Sequence, residues 1–132
     1  MTRARGAAVL LTTALTVVSE PALAQDDAEA KEAQLAFNNH CRTCHVTTED
    51  DHRLGPSLHN IVGREAGSAA NFGYSPAMAD ADTVWDEATL DRFIENPNAV
   101  VPGNNMKPFS GIASADERAK IIAHLKAESD GE

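Results

Sequence analysis

Cys41-Arg42-Thr43-Cys44-His45 holds both cysteines of the chain, three positions apart, with a histidine directly after the second. Three chemistries compete for such a pattern. A local disulfide or a redox-active thiol pair needs only the two sulfurs and gives the histidine no part. A zinc site needs further Cys or His at suitable spacing, and no second cysteine pair exists. Thioether attachment of a c-type haem uses all three side chains: the sulfurs bond the porphyrin and His45 is carried under the ring to the iron. Composition alone would produce the pattern in on the order of one chain in a thousand. It also spends both thiols, leaving none for catalysis or a disulfide.

The composition agrees. The chain has 132 residues, 42% of them hydrophobic, which is enough for one domain and too apolar for wholesale disorder. Aromatics are only 5%, a thin supply for a small core. A buried haem is a large apolar body that makes up this deficit. Eleven Lys+Arg against 20 Asp+Glu give a net charge of −9, which argues against nucleic acid and anionic membrane surfaces as partners.

Upstream of the motif lies an address. Arg3 and Arg5 precede an uncharged run from Gly6 to Val18, Ser19-Glu20-Pro21 breaks it, and Ala22-Leu23-Ala24 supplies a small-x-small site. This is the three-part layout of a secretory signal peptide, residues 1–24, and the run is too short to span ~30 Å of hydrocarbon. Cleavage after Ala24 leaves a domain of residues 25–132 and removes Arg3, Arg5 and Glu20, so the net charge of −9 becomes −10. The expected product is a soluble, periplasmic, monomeric protein.

Between the leader and the motif, Asp26 to His40 is Ala- and Glu-rich and predicts a helix delivering Leu35 and Phe37 to the core. Downstream, Thr47 to Arg53 is polar and reads as an exposed loop. Ser75-Pro76 opens a short helix, and Asp86 to Asn96 forms another, stopped at Pro97. Ser114-Ala115-Asp116-Glu117 is a capping box for a last helix with Ile121, Ile122 and Leu125 as its apolar stripe, fraying from Ser129. No alternating apolar run predicts a strand, so the class is all-α.

A haem iron held by His45 needs a second ligand or stays open to substrate. Met78 and Met106 remain after cleavage. Met106 sits in Val101-Pro102-Gly103-Asn104-Asn105-Met106-Lys107-Pro108-Phe109, a Pro- and Gly-punctuated loop that can hold one side chain fixed. Met78 falls in a short helix, where a core filler is the blander reading. His40, His52, His59 and His124 are rivals. Met106 is the favoured candidate.

Several separate anchors now stand in order: Phe37, Cys41-x-x-Cys44-His45, Gly55-Pro56-Ser57-Leu58-His59, Gly63-Arg64, Phe72-Gly73-Tyr74-Ser75, Trp85, Leu90 to Pro97, Pro102-Gly103-x-x-Met106 and Ile121 to Lys126. Together they resemble class I cytochrome c, in its bacterial cytochrome c2 and mitochondrial-type branch. The resemblance implies four to five short helices and loops wrapped around one covalent haem c. It implies a one-electron carrier between redox complexes of a respiratory or photosynthetic chain, and no enzyme. By that resemblance His45 and Met106 are the iron ligands, and the Pro56 carbonyl accepts the other ring N–H of His45. Arg64, Tyr74 and Trp85 attend the haem propionates. Partners would be a bc1-type complex, an oxidase, a reaction centre or a periplasmic dehydrogenase.

Three departures stand out. Phe93, Met78 and Asn104 replace the family's common tyrosine, asparagine and threonine near the methionine ligand, which predicts a drier pocket with Met78 as a conceivable rival thioether. Around the haem edge, His40, Asn98, Ala99 and Asn105 occupy positions where mitochondrial-type members carry lysines. Weak attraction to acidic partners follows.

Overall fold

The computed structural model describes residues 22–131. The expected leader, residues 1–24, lies outside them except for its last three positions. Five helices follow one another: α1 (Ala22–His40), α2 (Pro76–Ala79), α3 (Glu87–Glu95), α4 (Pro97–Val100) and α5 (Ala115–Asp130).

Each helix after the first begins where local chemistry satisfies its free N–H groups. Ser75 Oγ accepts from Met78 N at α2, Asp86 from Thr89 N at α3, Asn96 from Ala99 N at α4 and Ser114 from Glu117 N at α5. Pro97 was expected only to stop a helix. It does end α3, and then, as first residue of α4 behind Asn96, it starts the next turn, where a missing N–H costs nothing. At α5 only half of the capping box forms, because the Glu117 carboxylate turns to His40 Nε2, 3.4 Å away. The expected fraying at Ser129 gives way to helix through Asp130, with Ser129 Oγ donating to Leu125 O.

Packing of α1 against α5 is the principal helix–helix contact, and α3 packs on both α4 and α5. The face α1 buries is Ala33, Ala36 and Phe37, spaced three and four apart, whereas Leu35 is 58% exposed. The expectation for Leu35 is therefore wrong: a residue two before Phe37 points well off that stripe, and small alanines let α5 approach. Ile121, Ile122 and Leu125 are buried as expected, with Ile121 fully so. Each such side chain contributes about 1.5–3 kcal/mol.

Arg118 is the buried charge of α5. Its Nε donates to Asp91 on α3 at 2.7 Å and its Nη1 to the carbonyls of Ile112 and Ala113, both at 2.9 Å. It thereby ties the end of the loop that leads out of α4 to the helical frame.

Among the described residues, the one β-type pairing is an isolated antiparallel bridge between Glu65 and Val84. Gly63 N donates to Trp85 O, Trp85 N to Arg64 O and Ala66 N to Thr83 O, at 2.8–2.9 Å. This lacing places Arg64 beside Trp85. The class is all-α.

Candidate functional site

The motif begins as α1 runs out. Cys41 N and Arg42 N both donate to Phe37 O, and Cys44 N and His45 N both donate to Cys41 O at 3.0 and 2.9 Å. That tight turn sets the two sulfurs and the imidazole on one side of the chain. The following loop is then laced back on it, with Gly55 N donating to Cys44 O and Leu58 N to Val46 O, both at 2.8 Å. The loop expected as exposed over Thr47 to Arg53 is indeed a loop. His52 turns inward from it: its Nδ1 accepts from Ser57 N at 3.0 Å and its Nε2 donates to Ala70 O at 2.8 Å.

His45 is 6% exposed and its Nδ1 lies 2.8 Å from Pro56 O. A carbonyl only accepts, so Nδ1 carries the proton and Nε2 keeps its lone pair. Burial holds the imidazole below its ordinary pKa, the bond to Pro56 opposes that shift, and nearby Arg64 reinforces it. Gly55 makes room for the ring. A Cβ there would lie 2.6 Å from His45 Nδ1 and 2.7 Å from Nε2, closer than packed atoms come. Sequence reasoning did not single out Gly55 for this. Its signal was a glycine directly before the proline whose carbonyl orients the histidine.

These residues form part of the wall of a cavity of about 500 Å³, predominantly apolar. All eight residues expected at the site meet there: Cys41, Cys44, His45, Pro56, Arg64, Tyr74, Trp85 and Met106. Leu90, Phe93, Ile94, Ile121 and Leu125 supply further apolar wall from α3 and α5. Met78 is there too, so both methionines of the described chain reach one cavity. Asn104 is not on the wall; it is 2% exposed and turned into its own loop.

Arg64 tests what the cavity suits. Its Nη1 donates to His59 O at 2.7 Å and its Nη2 to Ser57 O at 3.0 Å, while its buried Nε has no partner. Burial lowers its pKa and proximity to Tyr74 partly restores it. A guanidinium with one buried N–H left over suits a carboxylate. The Tyr74 hydroxyl accepts from Ala69 N at 3.3 Å, keeping its own hydrogen to donate. Trp85 is 6% exposed, its ring 4.8 Å from that of Phe93. A large apolar body with acidic edges fits this wall, and a haem has those properties.

Thiol chemistry fits it poorly. Burial, with the neighbouring Cys44, pushes the Cys41 thiol up to about 12, so the sulfur stays protonated at neutral pH, opposite to what a reactive cysteine needs.

Residues 30–128 match the family model for cytochrome c. The chain belongs to the cytochrome c family. It is 45% identical over 89 residues to cytochrome c2 of Rhodomicrobium vannielii, covering 67% of this chain and 70% of that protein. With cytochrome c of Chlamydomonas reinhardtii the identity is 41% over 105 residues, covering 75% of this chain and 93% of the other. Among solved structures, cytochrome cH from Methylobacterium extorquens superposes with a TM-score of 0.67 at 33% identity, covering 74% of this chain and 97% of that one. This chain is thus a class I cytochrome c with a covalently attached haem c, and Cys41 and Cys44 fit the attachment motif. Haem-based electron transfer to redox protein partners is the function of the family.

Proposed function

We propose that this cytochrome c is an exported, soluble, monomeric one-electron carrier whose iron is held between His45 and Met106. Cys41 and Cys44 form the thioethers, and Arg64, Tyr74 and Trp85 receive the propionates. The hydrogen bond from His45 Nδ1 to Pro56 O carries the reading: it fixes the tautomer that leaves Nε2 basic, at the wall of the cavity that Met106 also lines. The haem supplies reversible one-electron chemistry between ferric and ferrous iron. The chain's own residues do the rest. With His45 and Met106 as its two protein ligands, the iron would have no position left for a substrate, and this argues against an enzyme. The soft thioether of Met106 favours the ferrous state over a second histidine. The apolar wall from α3 and α5 excludes water.

Export through residues 1–24 and residence in a bacterial periplasm rest on the leader's layout. The similarity to a bacterial cytochrome c2 supports the same place. A bc1-type complex, oxidase, reaction centre or periplasmic dehydrogenase would be the partner. Among the described residues no helix is long and apolar enough to cross a membrane. An optical spectrum and intact mass of the exported protein test the proposal together. The expected result is a chain starting at Gln25, heavier by one haem, with a low-spin reduced α-band and the weak near-red band of a thioether on ferric iron. A high-spin spectrum, or the absence of the near-red band, refutes the ligation; a retained Met1 refutes the export.

A further inference from the structure

Met106 leaves α4 by a short, heavily bonded path. Val101-Pro102-Gly103-Asn104 is a turn in which Asn104 N donates to Val101 O at 3.1 Å, with Pro102 and Gly103 (φ +87°) in the two central places that a type II turn requires. A Cβ on Gly103 would lie 3.3 Å from Ala77 Cβ, so the turn rests on α2. Directly after it, the Asn104 side chain faces inward at 2% exposure. Its Oδ1 accepts from Met106 N at 3.0 Å, and its Nδ2 donates to Val101 O at 2.9 Å and to Asn98 Oδ1 on α4 at 3.1 Å. Lys107 N then closes on Asn105 O at 2.7 Å.

We infer that Asn104 is the positioning residue for Met106: its buried amide clasps the Met106 backbone to α4 and sets how readily the thioether leaves the iron. This rests on the ligand role proposed for Met106. An asparagine two residues before the group it holds closes an Asx turn, a local ring that fixes the intervening backbone. The second amide hydrogen reaches the preceding helix, so the clasp holds both direction and distance. Asn104 is buried and Met106 half-buried, so without the Asn104 side chain the Met106 N–H loses its bonded partner and must turn to solvent or go unsatisfied. Either outcome favours a loop with Met106 swung out. Asn104 itself is not on the cavity wall, which separates its role from that of Met106.

Imidazole binding to the ferric protein reads the open fraction, because it takes the place of the departing thioether and its apparent affinity scales with the population in which Met106 is off. Asn104→Ala is expected to tighten imidazole binding about tenfold and to weaken the near-red band, as the loss of a few buried hydrogen bonds requires. Asn104→Thr, whose hydroxyl can still accept from Met106 N, should recover most of the affinity, and Asn98→Ala should give a partial effect. Ile122→Val, which removes a buried methyl from α5 and none of the Asn104 hydrogen bonds, should leave imidazole affinity within about twofold of the parent. Equal affinity in Asn104→Ala and the parent would overturn the inference, as would an equal effect of Ile122→Val at matched loss of stability. Should Asn104→Ala fail to fold, amide exchange in the unaltered protein decides: slow exchange at Met106 N–H supports the clasp and rapid exchange refutes it. A near-red band that survives Met106→Ala would instead defeat the ligand assignment, a different failure.

Discussion

The ring of His124 on α5 lies against that of Phe37 on α1, centroids 4.7 Å apart and planes tilted by 41°. Burial between the helices holds the imidazole below its ordinary pKa of 6.5, while Glu128 one turn on pulls the other way. A histidine whose folded pKa is depressed binds fewer protons folded than unfolded. Its contribution to stability is therefore complete above pH 6.5 and is lost as pH falls through the folded value. The urea midpoint should drop between pH 7.5 and pH 5, and His124→Phe should flatten that part of the profile. A midpoint that rises on acidification in the parent, and not in His124→Phe, would refute the assignment.

Gly55→Ala should be among the most damaging single-methyl changes in the chain. The new Cβ would sit inside contact distance of both ring nitrogens of His45, and the backbone there is pinned by Gly55 N to Cys44 O. Relief requires the ring to leave Pro56 O or the loop to shift, costing about 1–3 kcal/mol. Urea unfolding of the holoprotein measures it, and an unchanged midpoint would show that the loop yields freely.

Much of this arrangement was legible in the sequence because its signals are local. Cys41, Cys44 and His45 share one turn, Ser75-Pro76 and Asp86 cap their helices, and Met106 stands in a loop too punctuated for a helix. What escaped reading depends on neighbours distant in the chain. Leu35 looked like core because it is apolar, yet the face of α1 is chosen by α5, which takes Ala33, Ala36 and Phe37. The burial of Arg118 needs Asp91 and the carbonyls of Ile112 and Ala113, which no local pattern announces. Asn96-Pro97 did carry a start signal as well as a stop, and Asn104 stood at the Asx-turn offset from Met106. Both were readable from local chemistry alone.

Phe93→Tyr should lower the reduction potential. Phe93 shares the cavity with Met78 and Met106 and packs on Trp85, so the site around the proposed thioether is short of dipoles. A hydroxyl added there interacts more favourably with ferric than with ferrous iron. One hydrogen-bond equivalent of about 1 kcal/mol corresponds to roughly 40 mV for a single electron. Spectroelectrochemical titration of parent and variant decides it: a potential equal within error, or higher, would contradict a pocket dried by Phe93 and Met78.

Electron exchange with an acidic partner should depend only weakly on salt. Two basic side chains that could serve this role are engaged within the chain itself: Arg53 grips Asp51 through Nε at 2.8 Å and Nη2 at 2.7 Å, and His40 lies 3.4 Å from Glu117. The exposed Arg42 and Lys107 remain, on a chain of net charge −9. Steering scales with charge left over for the partner, and the Debye length already shrinks from about 30 Å at 0.01 M to about 8 Å at 0.15 M. A lysine-ringed carrier would lose most of its rate across that interval, whereas this one should change by less than about threefold. Asp51→Asn frees Arg53 and should steepen the dependence towards faster exchange at low salt. A parent rate that already falls tenfold or more with added salt would mean that Arg42 and Lys107 suffice as a cationic dock.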